Sequence, residues 1–459
     1  MKKIQLFGSD EHGKVYDYGD KIVRQINPSY FDQVNQLYSL YLKHKLSKNG
    51  LVTTSIDRHH KQLIHEKYII SYPHEWTYSM FKDSIIFQLE LVLKLDNYGL
   101  TLKDFLPNNV IFNHGQPIFV DFLSLIPTKQ LAHQKWLYVG VANKAIPAHQ
   151  LLFSKMFIPH LLIPLLLYGK HNYPAGREML EFKACNLGNG RPVWNDVFQS
   201  KGNWSLNSLL LTVKAIKLAI FPKTNYLDTI RGYHQIVRSL DVTNSHSDYL
   251  NYYLSKGEDY SFTNQKQWKI KQKQIHQIIH TLKPKTTLDI GANTGWYSFL
   301  AEFEGSSVIA TDIDEGTIDA LYLKIRNTHK RILPLMLSFS AFTERSNSKA
   351  YLPAITRFRS DLVMCLALIH HLVLGQGLSV EKVIRTLAKL SDKVVILEYV
   401  DINDEKIQQD PSFFPLINGT ASRMYSLVSI VKVAKKYFRK IDIINSTEVT
   451  RKLLVFSHQ

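Results

Sequence analysis

Cysteine is nearly absent. Cys185 and Cys365 are the only two in 459 residues, too few for a disulfide framework or a structural zinc site built on thiolates. Acidic residues are also scarce: 39 Asp and Glu stand against 56 Lys and Arg, a net charge of +17. The excess is spread, with 31 basic and 21 acidic residues up to position 270 and 25 and 18 beyond it. No basic tail accounts for it. The balance suits an anionic acceptor or an anionic surface without singling out nucleic acid. Long apolar runs are missing too. Phe157 to Tyr168, the most apolar stretch, is too short to span a bilayer and is interrupted by Pro159, His160 and Pro164. A buried helix pair is expected there, and no integral membrane segment. The opening MKKIQLFGSDEHG has no apolar core of signal-peptide length, so a cytoplasmic location is expected. With 45% hydrophobic and 21% charged residues the chain is not disordered. Its length predicts two domains or three at about 150 residues each.

Regular strand–helix alternation begins after the basic, Gln-rich run around Trp268, which carries Ile275, Ile278 and Ile279 at helical spacing. Strands are expected at Thr287–Ile290, Ser307–Thr311, Ile332–Leu337, Asp361–Leu366 and Lys393–Val400. Helices are expected over Glu315–Asn327 behind Asp314, and over Val380–Leu390 behind Ser379. This predicts an α/β, doubly wound, mostly parallel sheet. A helix around Tyr425–Phe438 and an antiparallel hairpin, Ile441–Asn445 with Lys452–Ser457, are expected to close it. The polar stretch Leu254–Thr263 is the expected boundary, giving domains 1–255 and 265–459.

The first of these strands runs into Asp289-Ile290-Gly291-Ala292-Asn293-Thr294-Gly295 and then a helix; the second ends at Asp312. Glycine permits the tight turn, the helix start offers unpaired N–H groups, and the later carboxylate suits a ribose diol. The turn has no middle glycine where a pyrophosphate would approach, and Asp289 suits a cationic ligand. Together these features resemble the class I S-adenosylmethionine-dependent methyltransferases over residues 265–459, including the edge hairpin. The resemblance implies S-adenosyl-L-methionine as cofactor. Asp289, Gly291 and Gly295 would line its methionine half and Asp312 its ribose, with Ala292, Asn293, Ile313 and Leu366 as further contacts. Ser338 stands where that family often has an acidic residue near the adenine.

The fourth strand leads into Ile369-His370-His371-Leu372, which the resemblance places near the donor methyl. If the acceptor is a hydroxyl, His370 or His371 is a candidate base, with Glu398 in ILEYV as a second candidate. An ordinary imidazole there predicts transfer that rises with pH through about 6 to 7. The same residues can also serve as hydrogen-bonding groups at the top of the sheet. No third ligand stands at suitable spacing for a metal at the His pair, and no metal is expected.

In the N-terminal half, Asp104 and Asn109 stand five apart and are followed by Asp121-Phe122-Leu123. VIF and IFV flank the turn Asn113-His114-Gly115-Gln116. The pattern resembles the core of protein-kinase-like phosphotransferases, an α+β fold, in which such an Asp orients the acceptor while the Asn and the second Asp hold magnesium. Here the phosphate loop has only Gly13 and Gly19, Arg24 stands for the nucleotide lysine, no Glu follows in the helix Tyr30–Leu46, and Leu123 replaces a glycine. An arginine fork does not reproduce the lysine's geometry. A degenerate kinase-like domain is expected. In their order, the runs at 71–83, 99–125, 288–298 and 361–372 resemble bacterial two-part proteins classed as methyltransferases and related to the nodulation protein NoeA. The resemblance implies a methyltransferase and leaves its acceptor open among a glycan, a lipid-linked sugar, a small metabolite and a protein. A phosphotransferase with a vestigial second half and a non-catalytic nucleotide-binding scaffold stand as alternatives.

Overall fold

Lys21–Ile26 (β3) buries Val23, Arg24 and Ile26; the neighbours Val23 and Arg24 point to opposite faces, so both faces of the strand are covered at its centre. It is the centre of a five-stranded antiparallel sheet ordered β1-β2-β3-β5-β4, where β1 is Ile4–Gln5, β2 Gly13–Asp17, β4 Thr54–Asp57 and β5 Gln62–Glu66. The computed structural model describes residues 4–6, 12–142, 145–180, 194–242, 260, 262–343, 351–410, 425–446 and 448–458. They fall into two compact units, Met1–Asn244 and Ser245–Gln459. Most of the expected boundary around Leu254–Thr263 lies outside the described residues.

In the first unit, α1 (Phe31–Lys43) buries Val34, Tyr38 and Tyr41, one helical face. The second helix, α2 (Tyr78–Asp96), starts where the Thr77 hydroxyl accepts from the Met80 amide at 3.2 Å. Two small antiparallel strand pairs follow, β6 (Leu100–Leu102) with β9 (Leu125–Pro127) and, between them in sequence, the hairpin of β7 (Val110–Asn113) with β8 (Gln116–Phe119). This unit is α+β. One expectation needs correcting. The apolar stretch around Phe157 is part of a single helix, α3 (Ala148–Gly169), rather than a helix pair. Its middle, Phe153–Leu162, has π-helical winding, which accommodates Pro159, and Pro164 sits at the start of the following α-helical turn. A prolyl ring lacks an N–H and crowds the preceding turn, so a wider turn relieves it. By length and composition α3 could cross a membrane, and most of it is buried inside the protein. Short helices at Tyr173–Leu180 and Trp194–Gln199 follow, and then α4 (Leu206–Ile220) and α5 (Tyr226–Ser239).

The second unit starts with α6 (Ile270–Leu282), which buries Ile275 and Ile279. It leads into β10 (Thr286–Ile290), α7 (Trp296–Phe303), β11 (Ser307–Asp312), α8 (Glu315–Ile325) and β12 (Ile332–Met336). Then come β13 (Ser360–Cys365), α9 (Val380–Leu390), β14 (Ser391–Val400), α10 (Leu427–Ala434), β15 (Lys440–Asn445) and β16 (Arg451–Ser457). The sheet order is β12-β11-β10-β13-β14-β16-β15, and only the pairings of β16 are antiparallel. This is the expected doubly wound α/β sheet with its edge hairpin. After β10 the chain builds outward through β11 and β12, then returns to the other side of β10 to lay down β13. The sheet therefore has a topological switch point between β10 and β13. In such sheets ligands bind at the carboxyl ends of the strands at that point.

Candidate active site

Two loops meet at the switch point. The register pairs Ile290 with Thr311 on one side and with Cys365 on the other, so β10, β11 and β13 end level. Gly291, at φ +76°, donates its N–H to the Thr311 carbonyl at 2.8 Å, and Ala292 donates to the same oxygen at 3.0 Å. A Cβ on Gly291 would come within 3.3 Å of Leu368, which places the loop after β13 directly against the glycine turn. Gly295, at φ +85°, opens α7, and a Cβ there would press to 2.7 Å from Leu321. Both positions need glycine for backbone angle and for space.

Asp289 is 2% exposed and accepts a 2.6 Å hydrogen bond from Ser298 Oγ. Burial pushes its carboxyl up to about 7, and the charge of Asp312 adds to the shift against the pull of Ser298 and Lys271. Asp312 accepts from the Asn293 amide at 2.7 Å and the Asp314 amide at 3.0 Å, which fix its carboxylate at the end of β11. Its proton affinity is raised, first by burial. Ala292 and Leu366 are buried beside the turn, while Ile313 is 61% exposed. Tyr260, before α6, lies 3.3 Å from the Thr294 hydroxyl by its own OH.

His370 and His371 lie just beyond β13, with ring centroids 4.3 Å apart. His370 is 7% exposed, and burial followed by repulsion from His371 and Arg451 pushes its imidazole down to about 3. His371 is only half-buried and is also lowered, by burial against the opposing charge of Asp410. Both rings are neutral near pH 7. The expected climb of rate through pH 6 to 7 is therefore corrected: it assumed an ordinary imidazole, and neither ring is one here.

Glu398, fully buried in β14, faces Lys271 Nζ at 2.5 Å and Arg451 Nη1 at 3.9 Å. Arg451 is held in turn by Asp404, with Nε 2.9 Å and Nη2 3.0 Å from its two oxygens. Lys271 also lies 5.4 Å over the Tyr297 ring and close enough to Asp289 to favour its ionised form. Glu398 thus belongs to a charge network joining α6, β14 and β16. Sequence reasoning missed Ser298, Lys271, Arg451 and Asp404. Ser298 lies in the first turn of α7, close enough to Asp289 in sequence to have been noticed; the others meet only through the fold.

The first unit collects its own cluster. Arg24 on β3 reaches Asp121 at 4.0 Å, and Asp104 accepts from Asn109 Nδ2 at 2.7 Å and Ser124 Oγ at 2.6 Å. Poor hydration and the charge of Asp121 push Asp104 up to about 6. His65 hydrogen-bonds Thr54 at 2.9 Å, and burial followed by the Arg24 charge pushes it down to about 3. All four expected residues, Arg24, Asp104, Asn109 and Asp121, share one locality. The turn between β2 and β3 is closed on itself. Gly19 donates its N–H to Asp17 at 2.7 Å, and Lys67 grips both Asp17 oxygens at 3.0 and 2.9 Å. A carboxylate therefore occupies the Gly19 amide.

Comparison with known proteins finds no matching family model. The chain is similar to Nodulation protein NoeA of Rhizobium meliloti (strain 1021), at 24% identity over 366 residues, covering 74% of this chain and 70% of that protein. The expected kinship with NoeA is therefore found. Among solved structures, the bifunctional kinase-methyltransferase WbdD is 15% identical, with a TM-score of 0.32. That match covers 46% of this chain and 46% of WbdD, so the chain spans less than half of that protein. Magnesium protoporphyrin IX methyltransferase (ChlM) from Synechocystis PCC 6803 with bound SAH is 13% identical, with a TM-score of 0.29, over 41% of this chain and 84% of ChlM.

Proposed function

We propose that the C-terminal unit is a class I methyltransferase that binds S-adenosyl-L-methionine in the crevice between the Gly291–Gly295 turn and the loop after β13. The observation that carries this reading is the convergence of Asp289, Asp312 and two positive-φ glycines at the switch point of the sheet. The donor set fits the group. A buried carboxyl raised to about 7 is re-ionised by a cationic ligand, and the end of β11 offers a fixed carboxylate for a diol. Asp289, Gly291, Ala292, Asn293, Gly295, Asp312, Ile313 and Leu366 are the residues we assign to it. When bound, the cofactor supplies an activated methyl on a sulfonium, which leaves to the acceptor as the C–S bond breaks. The protein's part is alignment, exclusion of water and, for a hydroxyl acceptor, removal of one proton. We assign that proton to the half-buried His371 and a supporting role to the more deeply buried His370. Glu398 we read as a positioning residue that holds Lys271 at the edge of the crevice.

The N-terminal unit we read as a kinase-like domain that recognises the acceptor. Its grouped Asp104, Asn109 and Asp121 favour a second reading, phosphoryl transfer, but the closed Asp17–Gly19 turn and Arg24 oppose it. The acceptor class we favour carries a hydroxyl, as a glycan, a lipid-linked sugar or a small metabolite, and a cytoplasmic setting suits the donor.

Asp312→Ala should weaken S-adenosylmethionine binding by about tenfold to a hundredfold, the loss of a charged hydrogen-bonding group of about 1.5–3 kcal/mol. Gly291→Val should weaken it further, because its branched side chain would meet Leu368 and strain a backbone at φ +76°. Calorimetric titration of both variants checks this. Unchanged affinity for Asp312→Ala would remove the ribose assignment.

A further inference from the structure

Helix α6 carries two histidines four residues apart, His276 and His280, on one face. Helix α7 ends at Glu304, its C-cap. The carboxylate is shared: Oε1 lies 2.8 Å from His276 Nε2 and Oε2 lies 2.8 Å from His280 Nδ1. The donor atoms of the three residues all fall within 4.8 Å of one another. His276 is further held edge-on against Trp268, with centroids 5.2 Å apart at 90°. Side-chain exposure is 16% for His276 and 13% for Glu304 but 58% for His280, so the cluster is anchored on two sides and open to solvent on the third.

We propose that His276 Nε2, His280 Nδ1 and the Glu304 carboxylate bind one divalent transition-metal ion, with zinc or cobalt as the best-suited class. Two imidazoles and a carboxylate form a nitrogen-rich set of borderline softness, which these ions prefer and which magnesium and calcium do not. The spacing fits. Bonds of about 2.0–2.2 Å to a tetrahedral ion separate neighbouring ligand atoms by roughly 3.3 Å. The 2.8 Å pairs need to open by only about half an ångström. Each neutral imidazole turns its lone pair to the ion by keeping its single proton on the opposite ring nitrogen. A water completes the coordination on the exposed side, where His280 leaves an entry path.

The position gives the ion a structural task. It would tie the helix before β10 to the helix that follows the glycine turn. Helix α6 also carries Lys271, whose ammonium meets Glu398, so the ion would stiffen the frame on which Asp289 and the turn are mounted. This inference does not rest on the methyltransferase reading and stands or falls without it. The competing account is a cluster held by hydrogen bonds alone.

The experiment is a titration of the metal-free full chain with Co²⁺ and then Zn²⁺, followed by visible absorption and calorimetry. Saturation at one equivalent is expected, with cobalt ligand-field bands displaced by zinc and no competition from Mg²⁺. His280→Ala and Glu304→Gln should each weaken binding by at least about tenfold. His280 is the more exposed ligand, so its removal leaves the fold intact, and urea unfolding of the metal-free variant checks that. Zinc should raise the melting temperature of the unaltered chain and leave that of His280→Ala unchanged. No saturable binding, or equal affinity in the unaltered chain and both variants, would overturn the site and leave a hydrogen-bonded cluster only.

Discussion

His371→Ala should lower methyl transfer by roughly 10²–10⁴-fold while leaving S-adenosylmethionine affinity nearly unchanged, because a base acts only as the acceptor's proton leaves. The readout is transfer of labelled methyl into the acceptor fraction of a host-cell extract. The pH profile carries a separate sign. The active form of a base is the unprotonated one, and His371 is lowered from the ordinary imidazole value. The acid limb should therefore lie below about 6.5 and the rate should be level above it. His370→Ala should behave differently. Its ring is almost entirely enclosed, so the substitution leaves a cavity and should lower stability more than turnover. Near-normal turnover in His371→Ala would assign the reaction to alignment and desolvation alone.

Lys271→Met should destabilise the C-terminal unit by about 3–5 kcal/mol, since among the described residues it leaves the buried Glu398 carboxylate with Arg451, at 3.9 Å, as its cation. The double variant Lys271→Met with Glu398→Leu should recover most of that loss, because the expense lies in the uncompensated charge rather than in the missing pair. Urea unfolding of the C-terminal unit separates the outcomes. A loss under about 1 kcal/mol in the single variant would place Lys271 and Glu398 with ordinary surface ion pairs.

Much of the second unit was legible because its signals are local. Ser379 caps a helix running over Val380–Leu390, where hydroxyl and apolar spacing agree. The glycine turn, the acidic end of β11 and the edge hairpin likewise follow from short windows of sequence. Ends of strands shifted by a residue or two, as with Ser391–Val400 against Lys393–Val400, because pairing partners decide where a ladder stops. What stayed hidden depends on contacts across long separations. Lys271 and Glu398 are 127 residues apart, and nothing in either neighbourhood points to the other. His276 and His280 show their spacing, but Glu304 joins them only because α6 packs beside α7. The continuity of α3 was hidden for another reason: Pro159 reads as a break, and π winding absorbs it. The lowered proton affinities of His370 and His371 follow from burial, which residue identity does not convey.

The most direct test of the central claim is parallel calorimetric titration of the full chain with S-adenosylmethionine and with Mg-ATP. The account predicts one saturable S-adenosylmethionine site, weakened by Asp312→Ala and indifferent to Asp121→Asn, with weak or absent Mg-ATP binding and no phosphoryl transfer. Absence of S-adenosylmethionine binding, together with tight, Asp121-dependent binding and turnover of Mg-ATP, would contradict it and make the chain a phosphotransferase.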